Sequence, residues 1–168
     1  MMKLKHAPSE FINLRGIEYF SFEEDFMEEN IRCIPMSVRF KMDLAGIKLK
    51  LSEWGRFYSS ERIELALLPT SSKTEINHYR NNLRELIIKH TGKEATELVI
   101  EQYPAWQNLN ELPYILKEKT EELQLEISLN QWQSLTNIQR FALLKLCRPG
   151  HENQNFPKAV AEFGLIKT

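Results

Sequence analysis

Residues 34–68 read IPMSVRFKMDLAGIKLKLSEWGRFYSSERIELALL, and residues 112–146 read LPYILKEKTEELQLEISLNQWQSLTNIQRFALLKL. Laid over each other without a gap, at an offset of 78, Ile34-Pro35 falls on Leu112-Pro113 and Lys41 on Lys119. Leu49 falls on Ile127, Leu51 on Leu129, Trp54 on Trp132 and Phe57 on Leu135. Arg62 then falls on Arg140, and Leu65 and Leu68 on Leu143 and Leu146. Proline, tryptophan and arginine recurring in one register are the mark of an internal repeat. The competing reading is two unrelated helical stretches that share a Leu/Trp pattern.

Each copy reads as three helices. The first opens at Pro35 or Pro113, since proline suits the first helical position. In the first copy it runs through Val38, Phe40 and Met42 to a stop at Gly46. The connectors Ile47–Leu51 and Leu125–Leu129 alternate apolar residues, as a tiny two-stranded ribbon would. Ser52 and Asn130 are expected to cap short helices carrying the tryptophans. The third helix holds the arginine and the leucine pair. Thr136-Asn137-Ile138-Gln139 fits a capping box. The first copy has Tyr58 in place of Thr136, so Ser59 or Ser60 is expected to cap there. Trp54, Trp132, Arg62 and Arg140 are read as structural: each ring pinned on the core, each guanidinium on carbonyls or a carboxylate.

Outward from the copies, Ser72-Lys73-Thr74-Glu75 predicts the start of a longer helix. Its buried stripe is Ile76, Tyr79, Leu83, Leu86 and Ile87, and Gly92 is its stop. Tyr103, Pro104, Trp106 and Pro113 mark a packed linker. Phe156 to Leu165 predicts a short helix with Ala159, Val160 and Phe163 inward, ended by Gly164. Before the first copy, Ser21 is expected to cap a short helix with Glu23, Glu24 and Asp25 in its first turn, where acids suit the dipole. Phe22 and Phe26 share one face of it and the acids the other. The fold class is therefore all-α: a compact multi-helix domain from two tandem copies of a three-helix unit, with room for a tiny two-stranded ribbon between the copies. Residues 1–19 read as a flexible arm and 20–168 as a single helical domain, with repeat units at about 34–69 and 112–147.

The chain has 168 residues, 42% of them apolar and 27% charged, enough for a buried core without disulfides or metals. Net charge is -1, so global charge does not argue for nucleic acid or an anionic membrane. The charge is segregated: residues 1–34, 35–93, 94–126 and 127–168 carry -3, +5, -6 and +3. That pattern is either a set of solvated surfaces or a polarised surface that docks a partner. Two cysteines without a CxxC exclude a disulfide framework and the usual zinc spacing. No apolar run reaches the ~18 residues of a membrane span, and residues 1–16 lack a signal-peptide core. The expected location is the cytoplasm.

Three clusters carry candidate chemistry. In Arg32-Cys33-Ile34-Pro35-Met36 a cysteine beside arginine at a helix start is a candidate thiolate, or simply a small buried residue. In Arg148-Pro149-Gly150-His151-Glu152-Asn153-Gln154-Asn155-Phe156, polar side chains precede a helix and suit an anion, or else cap backbone groups. His78 and His90 lack metal spacing and read as solvated helix histidines. No nucleotide loop, triad motif or deaminase signature is present.

FEEDFMEENIRCIPMSVRFKMDLAGIKLKLSEW (residues 22–54) and LNQWQSLTNIQRFALLKLCRPGHENQNF (residues 129–156), followed by Glu162-Phe163-Gly164-Leu165, resemble the nitrate reductase-associated protein family of cyanobacteria and some other bacteria. RCIPM-xx-RFK-x-D and RPGHEN-x-NF are the specific stretches. The resemblance implies a setting of nitrate assimilation and molybdopterin synthesis, and a need for this protein in ferredoxin-dependent nitrate reductase activity. It gives no established catalytic residues and no settled mechanism; no intrinsic cofactor is expected, the molybdenum pterin and iron–sulfur cluster being those of the partner. The expected function is a non-catalytic accessory protein that binds assimilatory nitrate reductase and supports its maturation or activity. The alternatives are a molybdopterin-handling protein and an adaptor between ferredoxin and nitrate reductase. Nucleic acid and membrane are not expected partners. Phe22, Glu23, Glu24, Asp25, Phe26, Arg32, Cys33 and Arg39 are the expected partner contacts. Arg148, His151, Glu152, Asn153 and Asn155 form the expected anion-binding loop. No metal site is expected.

Overall fold

The computed structural model describes residues 9–24, 33–150 and 154–166. Among the described residues it holds eight α-helices, two short 3-10 turns and one two-stranded ribbon. The chain divides into two compact units, residues 1–100 and 101–168. Each unit contains one of the two sequence copies.

The first unit runs α1 (Met36–Ala45), β1 (Ile47–Lys48), α2 (Leu51–Trp54), α3 (Ser59–Leu67), α4 (Lys73–Thr91) and β2 (Thr96–Glu97). Helix α1 packs on α4 and α3, and α2 packs on α4. Val38, Ala45, Ile47, Trp54, Phe57, Leu65, Tyr79, Leu83 and Ile87 form the core. The stripe expected on α4 is the buried one: Tyr79, Leu83 and Ile87 lie inside, flanked by half-buried Ile76 and Leu86. Ser72 Oγ accepts from Glu75 N at 3.1 Å and starts that helix. Gly46 ends α1 at φ +71°, and a Cβ there would lie 2.8 Å from Ile100 Cγ1. Glycine answers both demands at once.

The second unit runs from a 3-10 turn at Ala105–Gln107 through α5 (Tyr114–Glu122), α6 (Leu129–Ser134), α7 (Asn137–Leu146) and α8 (Phe156–Glu162). Helix α7 packs on the turn, on α8 and on α5. Leu116, Trp132, Leu143, Leu146, Phe156 and Val160 are its fully buried side chains. The tail helix ends at Glu162, with Ala159 and Val160 inward and Phe163 half-buried just beyond it.

The helices of the two copies start at matching positions: Met36 and Tyr114, Leu51 and Leu129, Ser59 and Asn137. The prolines sit one residue before the first helix of each copy, as the cap residue rather than the first helical position.

Four local expectations are corrected. Ser52 and Asn130 lie inside their helices, which are capped two residues earlier. Ser128 Oγ accepts from Gln131 N at 3.1 Å, and Glu53 Oε1 accepts from Lys50 N at 2.8 Å. Helix α3 is likewise capped by neither Ser59 nor Ser60; Glu61 Oε1 accepts from Tyr58 N at 2.8 Å. A carboxylate three residues inward can take the orphan N–H of the cap residue when no hydroxyl is available. The ribbon exists, but β1 pairs antiparallel with β2, Ile47 opposite Glu97, inside the first unit. Residues 125–128 of the second copy are not a strand. Finally, the arm expected over residues 1–19 is docked where it is described, because Phe11 is only 2% exposed and stacks on Trp54 at 6.1 Å.

Candidate docking site

The first family-type stretch surrounds the start of α1. Ser21 does not cap a helix; it opens a 3-10 turn at Ser21–Glu23 whose cap residue is Phe20. Glu23 is buried, and its carboxylate spans two chain segments. Oε1 accepts from Met36 N at 2.6 Å and Oε2 from Phe20 N at 3.0 Å. A carboxylate at a helix N-terminus satisfies an orphan donor and opposes the helix dipole. Phe22 is buried beside Phe20, with ring centroids 5.4 Å apart. Phe22 and Glu23, expected as partner contacts, therefore face the protein's own interior. Glu24 is half-buried; Ser9 N reaches its Oε2 at 3.3 Å, and Ser9 Oγ and Tyr19 Oη both bond Oε1. Burial first, then the Glu24 bond, raises the Tyr19 hydroxyl far above its usual range. Asp25, Phe26 and Arg32 lie outside the described residues.

Arg39 and Cys33 are brought together. Arg39 Nη2 lies 3.3 Å from Cys33 Sγ, and its Nε donates to Ile34 O at 3.0 Å. The guanidinium folds the segment before α1 back along the helix, and leaves the half-buried thiol next to a fixed positive charge. Two residues further, Lys41 Nζ donates to Ala66 O at 2.7 Å and Leu68 O at 2.6 Å, at the end of α3. Burial pushes its amine down to about 8. Lys41 thus closes a helix C-terminus, where a cation suits the exposed carbonyls.

The second stretch follows α7. Arg148 is exposed, and Asn155 is 3% exposed with no hydrogen-bond partner for Nδ2 among the described residues. His151, Glu152 and Asn153 lie outside the described residues, so the geometry of the expected anion loop is not drawn. Cys147, just before it, is buried, and burial pushes its thiol up to about 12. That thiol has none of the lowered pKa a nucleophile needs.

One cluster was missed by reading the sequence. His90 is not a solvated helix histidine. Its ring is 10% exposed, and Nε2 lies 2.7 Å from Glu61 Oε1. Lys89 Nζ meets Glu61 Oε2 at 2.9 Å and sits 5.1 Å from the Tyr58 ring. The Tyr58 and His90 rings meet edge-on at 5.0 Å. Burial alone would raise the Glu61 carboxyl; the Tyr58 N–H, Lys89 and His90 outweigh it and hold the group below its usual value. The staple ties the start of α3 to the end of α4. The only advance signal was a glutamate three residues inside a helix start without a hydroxyl cap. His78 is exposed, as expected. Among the described residues no group of three His, Cys, Asp or Glu side chains suits a metal, and no helix is long and apolar enough to cross a membrane.

The arrangement thus contains buried polar joints and no assembled set of reacting groups among the described residues. A family model described as "conserved nitrate reductase-associated protein" matches residues 19–163, which include both stretches. No curated protein and no solved structure matches the chain.

Proposed function

Because this chain belongs to the nitrate reductase-associated protein family, we propose that it is a non-catalytic accessory protein that binds assimilatory nitrate reductase and supports its maturation or activity. The observation that carries the reading is the extent of the family match, residues 19–163, over a helical chain. Glu23, Lys41, Glu53, Glu61 and Arg39 all bond backbone groups, and Glu61 also holds Lys89 and His90. In this reading the molybdenum pterin and the iron–sulfur cluster belong to the partner. Cys33 with Arg39 and the Arg148–Asn155 loop are the proposed contacts from the two family-type stretches.

The test is recovery of nitrate reductase with the tagged protein from nitrate-grown cells, repeated in a strain unable to make molybdopterin. The expected result is recovery in both strains, which places the protein on the reductase polypeptide before cofactor arrives. Recovery only when cofactor is made ties it to the mature enzyme. Failure in both strains overturns the reading.

A further inference from the structure

Along α4 lies exposed positive charge, part of which the fold does not use. Lys48, Lys50, Arg56 and Lys93 are all exposed there. Arg56 and Lys93 mark the end of that helix, and Lys48 and Lys50 lie on segments beside α4. Arg56 Nη1 donates to His90 O at 3.2 Å in the last turn of α4. Lys48 lies opposite Thr96 in the ribbon, a few residues past the helix. Lys50 is the cap residue of α2, which packs on α4. The neighbouring acids are already engaged. Glu61 is held by Lys89 and His90, Glu53 accepts from Lys50 N, Glu97 pairs with Arg80 at 2.8 Å, and Glu94 lies 3.8 Å from Arg84.

An exposed aromatic ring stands beside the end of α4. Tyr58 is 61% exposed, yet its ring is held by His90 edge-on and by Lys89. Leu51, next to Lys50 in the chain, is 47% exposed. A large side chain fixed before binding loses little freedom on binding, which is the property of an interface anchor.

The second copy is an internal control. At the positions matching Lys48, Lys50, Arg56 and Tyr58 it carries Glu126, Ser128, Ser134 and Thr136. Yet Trp132, Arg140 and Gln131 fill the same structural posts as Trp54, Arg62 and Glu53. The unit therefore folds without those cations and without the tyrosine. In the first copy Arg56 and Tyr58 meet His90 of α4, whereas the Lys48, Lys50 and Lys93 side chains make no hydrogen bond or ion pair among the described residues.

We infer that the face formed by Lys48, Lys50, Arg56, Tyr58 and Lys93 is the docking surface for a carboxylate-rich face of the partner protein. This rests on the reading above that the partner is nitrate reductase. Such complementarity acts on approach and register as much as on affinity, and at 0.1 M salt it reaches about 10 Å.

The experiment is binding of the full chain to purified nitrate reductase at low and high salt. The variants are Lys48→Glu/Lys50→Glu/Lys93→Glu, its Gln counterpart, and Tyr58→Ala. A reversal of exposed lysines elsewhere, Lys73→Glu/Lys117→Glu, is the control. The wild type should bind more weakly as salt rises. The Glu triple should weaken binding by about tenfold or more, the Gln triple by less and Tyr58→Ala by about tenfold, with the control near wild type. A Glu triple that folds and binds like wild type overturns the surface and leaves the proposed function standing. Wild type that does not bind the reductase overturns both. Loss confined to single-stranded RNA or phosphatidylglycerol vesicles, with reductase binding unchanged, overturns the choice of partner.

Discussion

The two copies share a frame and differ in what closes it. In each, a tryptophan on a one- to two-turn helix is buried, and an arginine on the next helix bonds the carbonyl five residues before it, Phe57 or Leu135. In the first copy Trp54 is covered by the Phe11 ring, and Arg62 is met by the Glu10 carboxylate. In the second copy Trp132 Nε1 donates to Asn108 O at 2.9 Å, and Arg140 Nε to Trp106 O at 2.8 Å, with Asn137 Oδ1 as a further acceptor. One lid is aromatic and ionic; the other is peptide backbone. The frame specifies a demand, a cover for the indole and an acceptor for the guanidinium, and leaves the supplier open to whichever segment precedes the copy.

The most damaging way to break the comparison is to remove the rings. Trp132→Ala and Trp54→Ala should each cost about 3–5 kcal/mol, read as a lowered midpoint in denaturant. Trp132→Phe should cost more than Trp54→Phe, since only the former strands a backbone carbonyl. Equal losses would mean the two lids are equivalent after all.

The arginines sharpen the contrast. Arg140 is 5% exposed, and burial holds its guanidinium below its ordinary value. Removing it leaves several acceptors without their donor in a closed site, so Arg140→Ala should cost about 3 kcal/mol. The Glu10 carboxylate is nearer to solvent, with 23% side-chain exposure, and can be rehydrated. Arg62→Ala should therefore cost about half as much. Thermal melts of the two variants give the order, and a reversed order would refute the distinction between an ionic and a backbone lid.

The smallest effect tests the staple. Glu61→Gln installs the residue that the second copy has at Gln139, whose Oε1 accepts from Thr136 N at 2.9 Å. The cap should survive and the links to Lys89 and His90 should not, a loss of about 1 kcal/mol at neutral pH. Glu61 is held below its ordinary value of 4.5, so its contribution is full above that value and lost as pH falls through the lower, folded value. The gap between wild type and variant should therefore close on acidification below 4.5. A gap independent of pH would show that Glu61 works through packing rather than charge.

Much of the frame was legible because it is local. Thr136-Gln139, Ser72-Glu75 and the glycines after α1 and α4 act within one turn, and the repeated Trp and Arg announced their burial by recurring. What stayed hidden depends on distant partners. The strand that meets Ile47-Lys48 lies beyond a 19-residue helix, at Thr96-Glu97, too short to show an alternating pattern. Phe11 sits among residues without periodicity, so nothing local marks it as core. His90 looked solvated because its carboxylate is on another helix. The proposed docking surface was half legible: the charge excess of residues 35–93 is visible in composition, but not which of those cations the fold leaves exposed. The burial of Phe22 and Glu23 was hidden because an acidic, aromatic stretch reads as surface, whereas the Glu23 carboxylate here serves the start of α1.

The order in which the lids are made has a consequence for synthesis on the ribosome. Glu10 and Phe11 are translated before Trp54 and Arg62, and residues 105–109 before Trp132 and Arg140, so each frame emerges with its cover already waiting. The second unit has a further tie: Gln131 Nε2 donates to Leu165 O at 3.1 Å, and Phe156 and Val160 are fully buried. The first unit can close while its successor is still being made. The second must hold an open apolar face until Leu165 has left the exit tunnel.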